Sequence, residues 1–278
     1  MKHEPRFKPN EWALVLGASS GFGGAAALEF ARHGMSIFGV HLDRQATMPN
    51  VHHLVKEIKH LGREAVFYNM NAADAIKRAE TLDEIRERFG PGATTVRVLV
   101  HSLAFGTLKP FIGKSMDDAL SQAQMEMTID VMANSLVYWT QGLIHRGLLK
   151  RGGRIFAMTS SGGHTVLPAY GAVSAAKSAL ESHIRQLAME LGPMGITANA
   201  VMAGVTDTPA LRKIPGATEM LRIARAKNPA GQLTTPDDVA KALVLLADEN
   251  AYWVSGNVIG VDGGEDVVSY VGQKPAHD

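Results

Sequence analysis

Seven short runs of apolar residues recur along the chain, each followed by a longer segment of mixed polar and apolar residues. Short runs that are almost wholly apolar are typical of strands buried on both faces of a parallel sheet. The predicted strands cover residues 13–17, 36–42, 64–70, 96–104, 153–160, 196–204 and 256–264. The predicted helices cover residues 23–33, 50–61, 74–89, 116–146 and 170–191, and another begins within 234–238. This alternation predicts an α/β fold with a seven-stranded, doubly wound parallel sheet and helices on both faces.

The chain has enough apolar residues for one large core, since 46% of its 278 residues are hydrophobic. We therefore expect a single domain over residues 1–278. Two segments depart from the alternation of strands and helices. Residues 1–11 are polar and proline-containing and are expected to form an N-terminal arm. Residues 205–235 are irregular, and an insert of that length in a compact domain is expected to be a functional loop, here a substrate-binding lid.

Charge and composition exclude several classes of function. The formal net charge is +1, which is no basis for binding nucleic acid. The chain has no cysteine, and His101, His164 and His183 have no spacing that would place three ligands on one face, so we expect no metal. No apolar run approaches the roughly 18 residues needed to cross a bilayer. The polar N-terminal residues do not resemble a signal peptide, and we expect a soluble cytoplasmic protein.

A glycine-rich turn, GASSGFGG, follows the first predicted strand and precedes the first predicted helix. Glycines allow a tight turn and close approach of the backbone to a pyrophosphate, while the helix N-terminus supplies N–H donors. The alternative is a turn that is merely flexible. In this context the turn predicts a Rossmann-type dinucleotide site. Its candidate residues are Gly17, Ser19, Ser20, Gly21, Phe22 and Gly23.

The spacing Gly-x-x-x-Gly-x-Gly resembles that of the short-chain dehydrogenase/reductase family, and other segments match this family in order along nearly the whole chain. The resemblance implies that Asn71 and Ala72, after the third strand, contact the adenine. The segment NAVMAGVTDT implies that Gly204, Thr206 and Thr208 hold the nicotinamide carboxamide and the phosphates. The final VDGG lies at a strand that the family often uses in tetramer packing, and it implies a homotetramer.

The choice between NADPH and NADH depends on residues at the end of the second strand. An acidic residue there binds the ribose 2′-hydroxyl, whereas an arginine accommodates a 2′-phosphate. His41 occupies the position where the family often has its aspartate, and Asp43 and Arg44 follow. Arg44 favours NADPH, and Asp43 favours NADH if it reaches the ribose. We expect NADPH, with His41 and Arg44 as contacts and NADH as the alternative.

Tyr170 and Lys177 are the candidate catalytic pair. In the family a lysine lies on the helix after strand five, where Lys177 stands, and a tyrosine usually precedes it by four residues, where this chain has Val173. Tyr170 is the only tyrosine nearby in sequence. Residues seven apart lie on nearly one helix face, and a lysine side chain leans towards the helix N-terminus. The alternative is a structural tyrosine beside a lysine whose charge reaches the surface.

This wider spacing is similar to that of the enoyl-acyl carrier protein reductases within the family. HSLAFG resembles their turn after strand four, which implies cofactor contacts by Ser102, Leu103 and Ala104. IDVMANSL resembles a segment of their long helix and places Met132 where ketoreductases have a catalytic asparagine. Residues 206–233 look like the substrate-binding loop of the NADPH-dependent, triclosan-tolerant subgroup.

Ser160 departs from the best-known enoyl reductases, which have a second tyrosine just after strand five. The same position matches the catalytic serine of ketoreductases. A serine there can donate a hydrogen bond to a carbonyl oxygen in either reaction. The alternative is a serine that only caps backbone groups at the strand end.

The resemblance implies an enoyl-[acyl-carrier-protein] reductase that transfers hydride from NAD(P)H to the C=C bond of a 2-enoyl thioester in fatty-acid synthesis. Its substrate would be bound to acyl carrier protein or CoA. A carbonyl reductase or alcohol dehydrogenase of the same family, acting on a ketoacyl, steroid or sugar substrate, is the alternative, and a non-catalytic dinucleotide sensor is another. Basic residues of the lid would attract an acidic carrier protein, unless they form only a solvated face. They are Arg212, Lys213, Arg222, Arg225 and Lys227, with Glu219 as the acid among them.

Overall fold

The computed structural model describes residues 6–269, and its centre is a seven-stranded parallel sheet. The strands are β1 Glu11–Leu16, β2 Ser36–His41, β3 Ala65–Asn69, β4 Thr95–His101, β5 Arg154–Thr159, β6 Thr197–Ala203 and β7 Val258–Val261. Their order is β3-β2-β1-β4-β5-β6-β7, and every neighbouring pair is parallel. The order reverses between β1 and β4, and ligands of such sheets bind in the crevice at that reversal, beyond the carboxyl ends of the strands.

Eight α-helices connect and cover the strands in the described part of the chain. They are α1 Gly21–Arg32, α2 Met48–His60, α3 Ala75–Phe89, α4 Gln122–Ile129, α5 Ser135–His145, α6 Gly171–Leu191, α7 Ala217–Lys227 and α8 Pro236–Ala247. Side chains of α1, α2 and α8 share one apolar core with the sheet, and those of α3, α5 and α6 share a second. A core on each face is the physical reason that the strands are nearly all apolar, and the predicted doubly wound fold is confirmed.

The predicted strands and helices are present, with corrections at their ends. The helix expected over 116–146 begins at Gln122, because Ser121 and Gln124 form a capping box that starts it there. The same helix is interrupted by a π-helical turn at Asp130–Asn134. The predicted arm overlaps β1 by one residue, and Phe7 within it packs on Phe30, with ring centroids 6.0 Å apart; residues 1–5 lie outside the described part.

The segment predicted as a lid, residues 205–235, contains a short 3-10 turn at Leu211–Lys213 and then α7. It joins the carboxyl end of β6 to α8, which starts at a capping box formed by Thr235 and Asp238. Within residues 6–269, no helix combines the length and apolar character that crossing a membrane requires.

Candidate active site

The glycine-rich turn packs directly against the end of β4. Gly17 has φ +88°, and a Cβ placed on it would lie 2.3 Å from the carbonyl oxygen of Ser102. A Cβ on Gly23 would lie 2.1 Å from the carbonyl oxygen of Gly17. Neither position has room for a side chain, so glycine is required at both. Ser20, the N-cap residue of α1, makes no side-chain capping bond, which leaves the helix N-terminus available to an anion.

The other residues expected to contact a dinucleotide follow the carboxyl ends of the strands and so gather at one edge of the sheet. Ser102 donates its backbone N–H to Leu16 across the β1–β4 pair at 2.8 Å. Thr208, after β6, lies beside Gly21 in the turn, where a Cβ placed on that glycine would be 3.7 Å from the threonine Cγ2 atom. The edge also holds Asn71 and Ala72 after β3, Leu103 and Ala104 after β4, and Gly204 and Thr206 after β6.

The side chains of Phe22 and Ala72 pack inwards. Phe22 is partly buried against the apolar core that α1 shares with the sheet. Ala72 is buried, and its carbonyl oxygen accepts a hydrogen bond from Trp139 Nε1 at 2.8 Å.

His41, Asp43 and Arg44 take different places at the end of β2. The side chain of His41 is 2% exposed, and its Nδ1 lies 3.0 Å from Asp43 Oδ2. Partial burial acts to raise the pKa of Asp43, but hydrogen bonds with Thr47, Ser19 and His41 lower it overall, so its carboxylate is ionised. Arg44 is exposed. The carboxylate of Asp43, rather than the His41 ring, is therefore the group that reaches the glycine-rich turn.

Tyr170 is the N-cap residue of α6 and is only 8% exposed. Its ring lies against Gly162, where a Cβ would be 2.5 Å from Cε1 and 3.4 Å from Ser160 Oγ. That serine hydroxyl accepts a hydrogen bond from Gly162 N–H at 3.1 Å. Burial raises the pKa of Tyr170, and the Ser160 side chain only partly opposes this. The phenol is therefore neutral at physiological pH and can donate a hydrogen bond. Val173, one turn further on, is buried in the same apolar cluster.

The residue before Tyr170 has an unusual backbone. Ala169 has φ +59°, and it is the one non-glycine residue of the described chain in the left-handed region. That conformation costs about 1–2 kcal/mol for a residue with a Cβ. Such strain concentrates at functional sites, and here it lies directly before Tyr170, the N-cap residue of α6.

Lys177 lies on α6 and is 5% exposed. Its Nζ donates a hydrogen bond to the carbonyl oxygen of Met158, near the end of β5, at 2.7 Å. Burial lowers the pKa of Lys177 to about 8, and Glu181 opposes this shift. The ammonium group has three protons, so it retains donors for ribose hydroxyls. A phenol, a hydroxyl and an ammonium group thus lie around the end of β5 and the turn that follows it, an arrangement that can stabilise an anionic oxygen.

The π-helical turn at Asp130–Asn134 was not predicted from the sequence, because one inserted residue does not change the apolar pattern enough to be recognised. Turns of this kind are frequent at functional sites. Here it packs against α6, and Asn134 Oδ1 lies 3.0 Å from His183 Nε2. Met132 is buried against Tyr170 in the same apolar cluster.

His101, at the end of β4, is completely buried next to this turn. Its Nε2 lies 2.9 Å from Ser135 Oγ, and that hydroxyl donates to the carbonyl oxygen of Val131. Since the hydroxyl proton is used, His101 must be the donor and its proton is on Nε2. Burial, with a smaller effect of the Lys177 charge, lowers the pKa of His101 to about 3. It is therefore a neutral structural residue.

The basic character of the lid is weaker than the sequence suggested. Arg212 makes two hydrogen bonds to Asp207, at 2.7 and 2.9 Å, and Arg222 makes two to Glu219, at 2.8 and 2.6 Å. Asp207 lies just outside the basic segment, so counting charges within that segment missed it. Lys213, Arg225 and Lys227 remain as the cations that could attract an acidic partner.

Comparison with known proteins agrees with this geometry. A family model described as enoyl-(acyl carrier protein) reductase matches residues 17–265. A short-chain dehydrogenase/reductase of Pestalotiopsis microspora, GME11373, is 30% identical over 95% of this chain and 98% of its own. The 3-oxoacyl-[acyl-carrier-protein] reductase FabG of Thermotoga maritima is 26% identical over 90% of this chain and 96% of its own.

Solved structures give the same result. An enoyl-[acyl-carrier-protein] reductase (NADH) of Aquifex aeolicus superimposes with a TM-score of 0.81 and 25% identity, covering 94% of this chain and 98% of that one. A short-chain dehydrogenase of Burkholderia cenocepacia in complex with NADP has a TM-score of 0.77 and 27% identity, covering 92% and 98%. Since the family model spans most of the chain, the protein belongs to the short-chain dehydrogenase/reductase superfamily of oxidoreductases, near its enoyl-acyl carrier protein reductases.

Proposed function

We propose that the protein is an NAD(P)H-dependent reductase of the C=C bond of 2-enoyl thioesters. The observation that carries this proposal is the position of the phenol. Tyr170, at the start of α6, approaches Gly162 from the same side as Ser160 Oγ, while Val173, in the place of the usual tyrosine, packs in an apolar cluster. The six-residue interval to the buried Lys177 supports the enoyl reductase branch over the ketoreductases.

The site fits a nicotinamide dinucleotide. The turn at Gly17 and Gly23 has no room for side chains, and the α1 N-terminus has no capping side chain. The pyrophosphate would bind at that helix N-terminus, and Lys177 would hold the nicotinamide ribose. When bound, the reduced cofactor supplies the hydride.

Tyr170 has the main chemical role in this proposal. Reduction of a conjugated C=C bond places negative charge on the thioester oxygen, as an enolate. A neutral phenol that donates a hydrogen bond to that oxygen stabilises charge present mainly in the transition state. The positive charge of Lys177 favours the same oxyanion. In an enoyl thioester the oxygen and the carbon that accepts hydride are two bonds further apart than in a ketone, which is consistent with a displaced tyrosine.

Arg44 and Asp43 have opposite effects on the choice between NADPH and NADH. The exposed guanidinium of Arg44 supports the expected preference for NADPH. The ionised carboxylate of Asp43, whose pKa is lowered in part by Ser19 of the turn, supports NADH, because it would repel a 2′-phosphate. Both cofactors must therefore be compared in any assay.

The substrate carrier is proposed to be acyl carrier protein or CoA. Lys213, Arg225 and Lys227 of the lid segment support attraction of an anionic carrier. The two ion-paired arginines contribute little, since their charge is already balanced.

Reduction of a ketone is the second candidate. It is favoured by the approach of Ser160 Oγ and the Tyr170 ring to the same glycine, Gly162, because a serine and a tyrosine that share one carbonyl oxygen suit carbonyl reduction. The similarity to a 3-oxoacyl reductase points the same way.

The two candidates are separated by following oxidation of NADPH and of NADH with crotonyl-CoA and with acetoacetyl-CoA. We expect turnover of the crotonyl thioester at a higher kcat/KM than the acetoacetyl thioester. Turnover of the keto substrate alone would replace the proposal with the ketoreductase. Cofactor binding without turnover of either would indicate a dinucleotide sensor.

A further inference from the structure

Three side chains of α6 form hydrogen bonds with the end of β5 and the turn that follows it. Lys177 donates to the carbonyl oxygen of Met158 at 2.7 Å. Glu181 Oε1 accepts a hydrogen bond from Thr159 Oγ1 at 2.6 Å. Ser178 Oγ donates to the carbonyl oxygen of Gly163 at 2.8 Å, and together these bonds bracket Ser160.

Glu181 is central to this arrangement. Thr159 directly precedes Ser160 and is itself buried. Burial and the bond to Glu181 therefore restrict its side chain together. A Cβ on Gly163 would lie 3.4 Å from Glu181 Oε1, which places the carboxylate beside the turn after Ser160. The carboxylate therefore contacts the strand end before Ser160 and lies next to the turn that follows it.

Glu181 is also the charged group that acts on Lys177. It lies one helical turn further along α6, on the same face. The other titratable groups around Lys177 are neutral: burial lowers the pKa of His101 to about 3 and raises that of Tyr170. His183, which interacts with His101, also has its pKa lowered by burial. Among the described residues, Glu181 is the one that opposes the effect of burial on Lys177.

We infer that Glu181 is a positioning residue of the reductase site, which holds Ser160 in place through Thr159 and supplies the negative charge that Lys177 requires. It acts through these two residues. The inference rests on the proposed roles of Tyr170, Lys177 and Ser160. It assigns a function to an acidic residue that, from sequence alone, resembles any solvent-facing acid on a helix.

Two substitutions separate the two effects of Glu181. Glu181→Gln keeps an oxygen that can accept from Thr159 but removes the charge. Thr159→Val keeps the charge and the side-chain shape but removes the hydrogen bond. The matched control is Glu190→Gln, which removes a carboxylate from the exposed end of the same helix, where Glu190 accepts a bond from Gln186.

The first measurement is the pH dependence of NADPH and NADH affinity, by fluorescence titration between about pH 6 and 10, which needs no substrate. Loss of the Glu181 charge should move the alkaline loss of affinity about one pH unit lower, because Lys177 gives up its proton more readily. Thr159→Val and Glu190→Gln should leave that midpoint in place.

The second measurement is steady-state kinetics with whichever thioester the wild type reduces. Thr159→Val should lower kcat about fivefold with little change in KM, the size expected when a hydrogen bond worth about 1 kcal/mol is lost in the transition state. Glu181→Gln should move the alkaline limb of the kcat/KM profile to lower pH, by the same amount as the midpoint of the cofactor affinity.

The inference would be overturned if the midpoint of the alkaline loss of cofactor affinity did not move in Glu181→Gln and the kinetics of this variant matched those of Glu190→Gln. If neither thioester is reduced but the affinity midpoint moves as expected, the proposed reaction is wrong and the link between Glu181 and Lys177 stands. If crotonyl-CoA is reduced and Glu181→Gln behaves as the control, the reaction stands and the role of Glu181 is rejected. The two claims therefore fail separately.

Discussion

Burial sets the protonation states of Tyr170 and Lys177, the two titratable residues of the proposed catalytic group. Tyr170 and Lys177 are both buried, yet burial keeps the phenol protonated and makes the ammonium easier to deprotonate. A site built this way works while Lys177 keeps its proton. Its activity should therefore have an alkaline limit well below the ordinary pKa of a lysine.

The first prediction concerns that limit. Since the pKa of Lys177 is lowered to about 8, kcat/KM should be level below this pH and fall towards tenfold per pH unit above it. Lys177→Arg should retain a lower activity without this limb, because a guanidinium does not deprotonate in this range. The measurement is kcat/KM between about pH 6 and 10, and a wild-type profile that stays level to pH 10 would contradict the assignment.

The second prediction concerns Asp43. Its ionised carboxylate lies at the glycine-rich turn, where it would repel a 2′-phosphate. Asp43→Ser should raise the affinity for NADPH relative to NADH by about tenfold, equivalent to about 1.4 kcal/mol. Arg44→Ala should change the ratio in the opposite direction. Dissociation constants for both cofactors test this, and an unchanged ratio in Asp43→Ser would show that the carboxylate does not face the ribose.

The glycines, Tyr170 and Lys177 could be proposed as site residues from the sequence, because each has a chemical requirement tied to a position along the chain. Sequence reasoning could not locate the Ser19–Asp43 interaction or the Thr159–Glu181 bond. Both join residues from different loops or elements, and their meeting depends on how the loops fold back on the sheet edge.

At the level of elements, the strand positions could be predicted because burial on both faces demands continuous apolar runs. The start of α4 could not be predicted from apolar spacing, since Ser121 and Gln124 determine it by capping. Apolar spacing also missed the π-helical turn. That turn places His101, Ser135 and Val131 in one chain of hydrogen bonds between β4 and the helix.

The third prediction concerns this buried chain. An unfolded histidine takes up a proton near pH 6.5, whereas folded His101 resists protonation until about pH 3. The unfolded state therefore binds more protons than the folded state between these two pH values. The stability that neutral, buried His101 contributes is lost as the pH falls below 6.5, by about 1.4 kcal/mol per pH unit. Denaturant unfolding at pH 7.5 and 5.5 should show this loss, and His101→Asn should lose less. Equal losses in the two proteins would contradict it.

At the level of the whole molecule, the reversal of strand order between β1 and β4 brings distant segments to one edge of the sheet. The glycine-rich turn, the segment after β4, the end of β5 and the loop after β6 all meet there. The predicted parallel sheet accounts for this edge, because the carboxyl ends of parallel strands point the same way. The ion pairs that neutralise part of the lid could not be predicted, since they depend on side-chain geometry.

The fourth prediction concerns assembly. The strand β7 lies at the edge of the sheet, and Tyr252 and Trp253 just before it are 64% and 87% exposed. An exposed edge strand beside large apolar side chains favours association, and we expect the homotetramer implied by family resemblance. Light scattering should give four times the mass of the chain, and Trp253→Glu should lower it. A monomer for the wild type would contradict the expectation.

The central claim is that Tyr170 makes this protein a reductase of conjugated C=C bonds. It is tested most directly by kcat/KM for crotonyl-CoA in the wild type, Tyr170→Phe and Ser160→Ala, with acetoacetyl-CoA in parallel. Loss of the phenol should lower the crotonyl rate by about 10²-fold or more, as when one oxyanion donor is removed, and loss of the Ser160 hydroxyl should lower it less. Near-full crotonyl activity in Tyr170→Phe with loss in Ser160→Ala, or a wild type that reduces only acetoacetyl-CoA, would contradict the claim.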